Sequence, residues 1–198
     1  MHFPRYFVAL SVCAGALTAC GSDSMTSTPS TSAGDAQTPP TTNGTDVEAW
    51  LTTGSYKTWS CETASHPQMK VSPHGINRIC SNDLISKFTG AVGDERPKGS
   101  AAVKELYDDS MALVGYAVSV KVADTSKGGA NWYWYERVPQ DSMAPHDANG
   151  IVADGIGLTP EKTSAGKGIC VGCHSGAGSD SDAHLVNKSG DFVYDVIE

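Results

Sequence analysis

Residues 170–174 read Cys170-Val171-Gly172-Cys173-His174, and no other stretch constrains the chain as much. C-x-x-C-H is the pattern by which a haem is attached covalently to protein. The two thiols add across the vinyl groups of the ring, and two intervening residues let one short turn reach both. His174 follows at once, so its imidazole can take the iron as proximal ligand. A bare C-x-x-C also suits zinc or a redox dithiol. Those readings want a second C-x-x-C or a thioredoxin-like βαβ setting, and the sequence has neither. The expected cofactor is therefore haem c, on Cys170 and Cys173, with His174 on the iron.

Haem attachment of this kind takes place outside the bacterial cytoplasm, so an export signal is expected. Residues 1–19 have one: Arg5 is followed by the short apolar run Phe7 to Leu17, which is too short to span a bilayer. Leu17-Thr18-Ala19-Cys20 then resembles the bacterial lipobox, which implies cleavage before Cys20 and a lipid on that residue. The other reading is an ordinary secretory signal cut near Ala19. Either way the mature chain faces the periplasm or the exterior of a bacterial cell envelope, lipid-anchored on the first reading. Residues 20–46 are rich in Ser, Thr, Pro, Gly and Asp. They cannot bury enough apolar surface to offset chain entropy and read as a flexible tether. Residues 47–198 remain, the size of one domain.

The net charge of −8 comes from 14 Lys+Arg against 22 Asp+Glu. No basic patch points to nucleic acid or an anionic lipid surface, so neither is an expected partner. Cysteine usage is consistent with export. Cys13 leaves with the signal, Cys20 takes lipid, and Cys170 and Cys173 take haem. Cys61 and Cys80 remain; they are either a disulfide, favoured in an oxidising compartment, or two buried thiols.

Hydrophobic period marks the elements. Val47 to Leu51 reads as a short helix capped by Asp46, Ile76 to Cys80 as a strand, and Asn82 to Phe88 as a two-turn helix. From residue 101 the period becomes two. Ala101–Tyr107, Met111–Ala123 and Asn131–Val138 read as strands, with Phe192–Ile197 as a last one. In the second of these, Val114, Tyr116, Val118, Val120 and Val122 share an apolar face. The opposite face has Leu113, Gly115, Ala117, Ser119 and Lys121, whose three small residues leave room for something flat. The aromatic run Trp132 to Tyr135 reads as sheet core with an interface, or else as a ligand cage. Gln140 to Gly157 reads as a long loop, and Thr159-Pro160-Glu161 as a helix start leading to the haem motif. The expected fold is α+β: mainly antiparallel sheet with short helices and a C-terminal haem-attachment turn. Small helical cytochromes c carry the motif near their start and an axial Met downstream. Here Ser175 to Glu198 contain no Met. Four-helix cytochromes need long helical periodicity, which residues 101–138 lack.

Five stretches in order resemble the cytochrome P-460 family. They are Lys98 to Tyr107, Gly115 to Lys121, Asn131 to Trp134, Cys170 to Ser175, and Asp191 to Tyr194. The resemblance covers roughly residues 65–198. It implies a homodimeric, mostly antiparallel β fold with a c-type haem and an open distal site. Name-giving members bond a lysine to the porphyrin edge and oxidise hydroxylamine, whereas the related cytochromes c′-beta lack the cross-link and bind small gases. By position Lys104 matches the cross-linking lysine. The enzymes' distal carboxylate falls where this chain has Ala117, so Glu105 and Glu136 are the candidate substitutes if their strands face the pocket. His66, His74, His146 and His184 sit in loops and read as solvated surface residues; His74 is the exception if the Ser72-Pro73-His74-Gly75 turn folds over the haem. Two classes follow: a redox enzyme acting on hydroxylamine or nitric oxide with a soluble redox partner, or a gas-binding or electron-carrying cytochrome without turnover.

Overall fold

The computed structural model describes residues 38–67, 74–91, 93–158, 169–177 and 190–194. All belong to one compact unit, residues 31–198. The signal peptide, Cys20, most of the tether, the Thr159–Glu161 helix start and His184 lie outside the described residues. The elements run α1 (Gly44–Thr53), β1 (Ser60–Cys61), β2 (Ile76–Ser81), α2 (Asp83–Ser86), β3 (Ala101–Tyr107), β4 (Leu113–Lys121), β5 (Trp132–Arg137), β6 (Ile151–Ile156) and α3 (Ile169–His174). The six strands form one antiparallel sheet in chain order, so the class is α+β and mainly β, as its sequence periodicity implies.

Four elements differ from the sequence reading. Helix α1 starts earlier and is capped by Asn43, whose side chain accepts from the Asp46 amide at 3.0 Å. Helix α2 is a single turn, because Phe88 already departs from it. Strand β6 lies inside what reads as a long loop. Residues 192–194 are not a strand: Gly190 and Val193 form an isolated bridge around a turn in which Asp191 (φ 49°) and Phe192 (φ 66°) are left-handed.

Alternation gives the sheet two unlike faces. On one, Val103, Val118, Val120, Tyr133 and Tyr135 are buried under Val47 and Leu51 of α1 and under Tyr56. The helix can approach this closely because residue 44 is glycine; a Cβ there would lie 2.6 Å from the Tyr135 ring. The Gly44 amide donates to Asp154 at 2.8 Å, and the Tyr133 hydroxyl donates to the same carboxylate at 2.7 Å. Cys61 and Cys80 are cross-strand partners joined by a disulfide that ties β1 to the sheet. Closing a loop of this length stabilises by about 3 kcal/mol.

Glu105 is part of this helix-covered face. It accepts from Tyr56 at 2.7 Å, from Tyr107 at 2.5 Å and from Arg78 at 2.8 Å. Burial acts to raise its pKa, but these donors outweigh burial and hold it below the usual carboxylate value. A depressed folded pKa contributes stability above the unfolded value, near 4.5, and loses it as pH falls through the folded one. Glu105→Gln should therefore cost about 1.5–3 kcal/mol at pH 7. The urea midpoints of the two proteins should converge as pH falls from 4.5 through the lowered folded value. A gap that does not shrink would contradict the assignment.

Candidate haem site

The second face has small side chains at the centre of β3 and β4. The register aligns Ile79, Lys104, Ala117, Glu136 and Ala153 in one row across β2 to β6. The next row is Ser81, Ala102, Ser119, Trp134 and Gly155. Small side chains thus form a floor in the middle of β3 and β4, with Lys104 and Glu136 flanking Ala117. Helix α3 lies over this face: Cys170 and Val171 pack against a cluster containing Trp132, Trp134, Ala153 and Val193. Gly129 makes the approach possible. Its φ is +88°, and a Cβ there would sit 2.7 Å from Val171 and 3.0 Å from the Phe192 ring.

His174 ends α3 with its ring 4.7 Å from Trp134, 5.3 Å from Tyr194 and 6.5 Å from His74, centroid to centroid. Its Nδ1 is 2.7 Å from the Phe192 carbonyl oxygen. A carbonyl only accepts, so Nδ1 carries the proton and a neutral ring keeps its lone pair on Nε2. Burial, reinforced by the charge of Lys104, pushes its pKa down to about 3, which keeps the ring neutral. A neutral histidine with one nitrogen held by a backbone acceptor is the arrangement found behind metal-bound imidazoles. Burial also lowers the pKa of Lys104, against the opposing pull of Glu136 and Glu62. It pushes the Cys170 thiol up to about 12.

Lys104, Cys170 and His174 are strongly desolvated, yet each keeps intermediate accessible surface. That combination fits side chains lining a recess within the fold. Trp134 points the same way: its indole N–H is buried and has no acceptor among the described residues. An unpartnered buried donor is costly, and a group seated in the recess is the ordinary remedy. Among the described residues Cys170 and Cys173 are free thiols, whereas Cys61 and Cys80 are bonded. No three His, Cys, Asp or Glu side chains of the described residues converge as a metal cluster would require. Thiol pair, neutral imidazole, flat floor and orphaned donor together fit a haem.

The candidate residues separate by face. Glu136 faces the recess; its Oε1 is 2.9 Å from His74 Nδ1, with side chains 3% and 13% exposed. Glu105 lies on the opposite face, held by Tyr56, Tyr107 and Arg78, and is removed from the distal candidates. His66 bonds to Glu62 at the sheet edge, and His146 bonds to the Ala144 carbonyl. Sequence reasoning weighed Trp134 only within an aromatic run read as core or ligand cage, and missed Phe192 as a site residue. Trp134 is two positions from Glu136, so alternation would have put both on the Ala117 face. A backbone carbonyl leaves no comparable signal.

No family model matches this chain, no curated protein matches it, and no solved structure matches it.

If Gly129 is what admits α3 and the C-terminal turn, then Gly129→Ala and Gly128→Ala should differ. Both positions have positive φ, and each substitution should cost about 1–2 kcal/mol for that alone. At Gly128 nothing lies within 4 Å of the added methyl, whereas at Gly129 it meets Val171 and Phe192. Chemical denaturation should rank Gly129→Ala as clearly the more damaging, and equal losses would refute the packing role.

Proposed function

We propose that this chain is an exported c-type haem protein of the cytochrome P-460 kind, with an open distal site, that performs redox chemistry on hydroxylamine or nitric oxide. The observation that supports this most is the His174 imidazole, neutral and held at Nδ1 by the Phe192 carbonyl, beside two free thiols at C-x-x-C spacing. Cys170 and Cys173 would hold the ring and His174 Nε2 the iron. When bound, haem c would supply a redox-active iron. Lys104, on the recess face, is the residue for a porphyrin cross-link.

The chain's own residues supply what remains. The floor of Ala102, Ala117 and Ser119 admits a flat ring. Oxidation of hydroxylamine releases protons as well as electrons, so a proton acceptor is needed near the substrate. Ala117 cannot serve. Glu136 is its direct cross-strand neighbour on the same face, a buried carboxylate whose Oε1 is occupied by His74. Its Oε2 is the atom to accept a proton, while the His74 contact fixes the side chain's orientation. Electrons would pass to a soluble partner. The protein would act as a homodimer at the bacterial cell envelope, with Cys20 bearing the lipid anchor.

Ala117 itself favours a second reading, a gas-binding or electron-carrying cytochrome of the c′-beta kind. Two measurements decide. Cys173→Ala should lose normal covalent attachment, seen as a weakened haem stain after denaturation; a full stain would refute the attachment site. Glu136→Gln should leave the stain intact and lower steady-state hydroxylamine oxidation by about 10²–10⁴-fold with an artificial acceptor. An unchanged rate would remove Glu136 as the base. No turnover by the natural sequence would leave the gas-binding reading.

A further inference from the structure

The sequence reading treats Asp191 only as one letter of a C-terminal run. In the structure its carboxylate is among the most heavily bonded groups of the described chain. Lys121 Nζ lies 2.7 Å from Oδ2, with side chains 0% and 4% exposed. The Arg96 amide donates to the same oxygen at 2.6 Å, and the Ser126 hydroxyl donates to Oδ1. Ser126 in turn accepts from the Trp132 indole at 2.9 Å. A buried ion pair needs its remaining hydrogen-bonding capacity met; both carboxylate oxygens have donors here, and Lys121 has a second carboxylate, Glu95, at 4.0 Å.

This bonding holds a backbone that would otherwise relax. Asp191 and Phe192 are both left-handed, at φ 49° and 66°, a conformation unfavourable for non-glycine residues. Reciprocal bonds of 3.1 Å between Gly190 and Val193 close the turn. The Phe192 ring packs 6.4 Å from Trp132, the residue that also reaches Ser126. The turn is therefore gripped on both side chains, and what it presents is the Phe192 carbonyl, 2.7 Å from His174 Nδ1.

We propose that Asp191 is a positioning residue for the haem ligand: through Lys121 and Ser126 it fixes the turn whose Phe192 carbonyl holds the proton on His174 Nδ1. The inference rests on the haem reading above. A bond from Nδ1–H makes Nε2 a stronger donor to a metal, so loosening the turn weakens the bond between His174 and iron.

The test is the iron–histidine stretching frequency of the ferrous, haem-loaded full chain, read by resonance Raman. Asp191→Asn is the main variant. Asparagine tolerates the left-handed conformation as aspartate does but has a single acceptor oxygen, so it can serve the Ser126 hydroxyl or the Arg96 amide, not both, and it removes the charge that faces Lys121, leaving Glu95 at 4.0 Å as the nearest carboxylate. The line should move to lower frequency by more than its own width, with the denaturation-resistant haem stain unchanged. Lys121→Met, which breaks the same pair from the other side, should move it the same way and serves if Asp191→Asn does not fold. Thermal melts run alongside. A variant that melts earlier with the line unmoved has lost only stability, and that result overturns the proposal. A natural chain without covalent haem overturns the function reading and this one together; attached haem with unmoved lines overturns this one alone.

Discussion

Register between β3 and β4 is the constraint on which the rest of the molecule depends. A slip of β3 by one residue would turn Lys104 toward α1 and carry Val103 to the other side. It would place the buried lysine in the apolar core and fill the floor of the recess. Two features oppose such a slip. On the α1 face, Glu105 accepts from Tyr56 and from Arg78 of β2, donors on other segments that it would not meet one position along. At the end of β3 the register shifts between Leu106 and Tyr107, next to Gly115, where a Cβ would lie 2.2 Å from the Arg137 carbonyl oxygen. Such an irregularity pins pairing in a way that uniform alternation cannot. The face with no catalytic candidate thus sets the geometry of the one that has them.

Much of this was legible in residues 101–138, because β-branched and aromatic residues alternate with small or polar ones over three successive strands. The same logic failed at β6. Ile151-Val152-Ala153-Asp154-Gly155-Ile156 contains an Asp and a Gly, both poor strand formers. Asp154 is there to receive the Gly44 amide and the Tyr133 hydroxyl, and Gly155 lies opposite Trp134. Those partners are distant in sequence, so no local pattern announces them. The C-terminal run failed in the opposite direction. Phe192-Val193-Tyr194 has good strand composition, yet the buried pair of Asp191 with Lys121 bends it into a left-handed turn. In each place a tertiary polar contact overrode local propensity.

The site was legible to a similar extent and for similar reasons. C-x-x-C-H singles out three candidate residues, and two of them, Cys170 and His174, pack against the face that has Trp134. Lys104 and Ala117 follow from alternation. What stayed hidden is whatever depends on two strands at once. Glu105 and Glu136 look equivalent in the sequence, each a glutamate in a strand beside aromatic residues. Only the alternation of β3 and β5 taken together separates a carboxylate locked among tyrosines from one in the recess.

That separation changes what the missing carboxylate at Ala117 means. A proton acceptor must sit near the reacting atoms, but nothing requires it to come from a particular strand. In an antiparallel pair, directly opposed residues have Cβ atoms only about 4.5–5.5 Å apart. A carboxylate moved from Ala117 to its partner Glu136 therefore keeps the same face and nearly the same place. The move has a consequence for dielectric environment. Glu136 is buried between β4 and β6 with His74 against it, and a carboxylate in such a setting is oriented by its neighbours and not by water. Alanine at position 117 then keeps that point of the floor small while its cross-strand neighbour Glu136 places a carboxyl group on the same face.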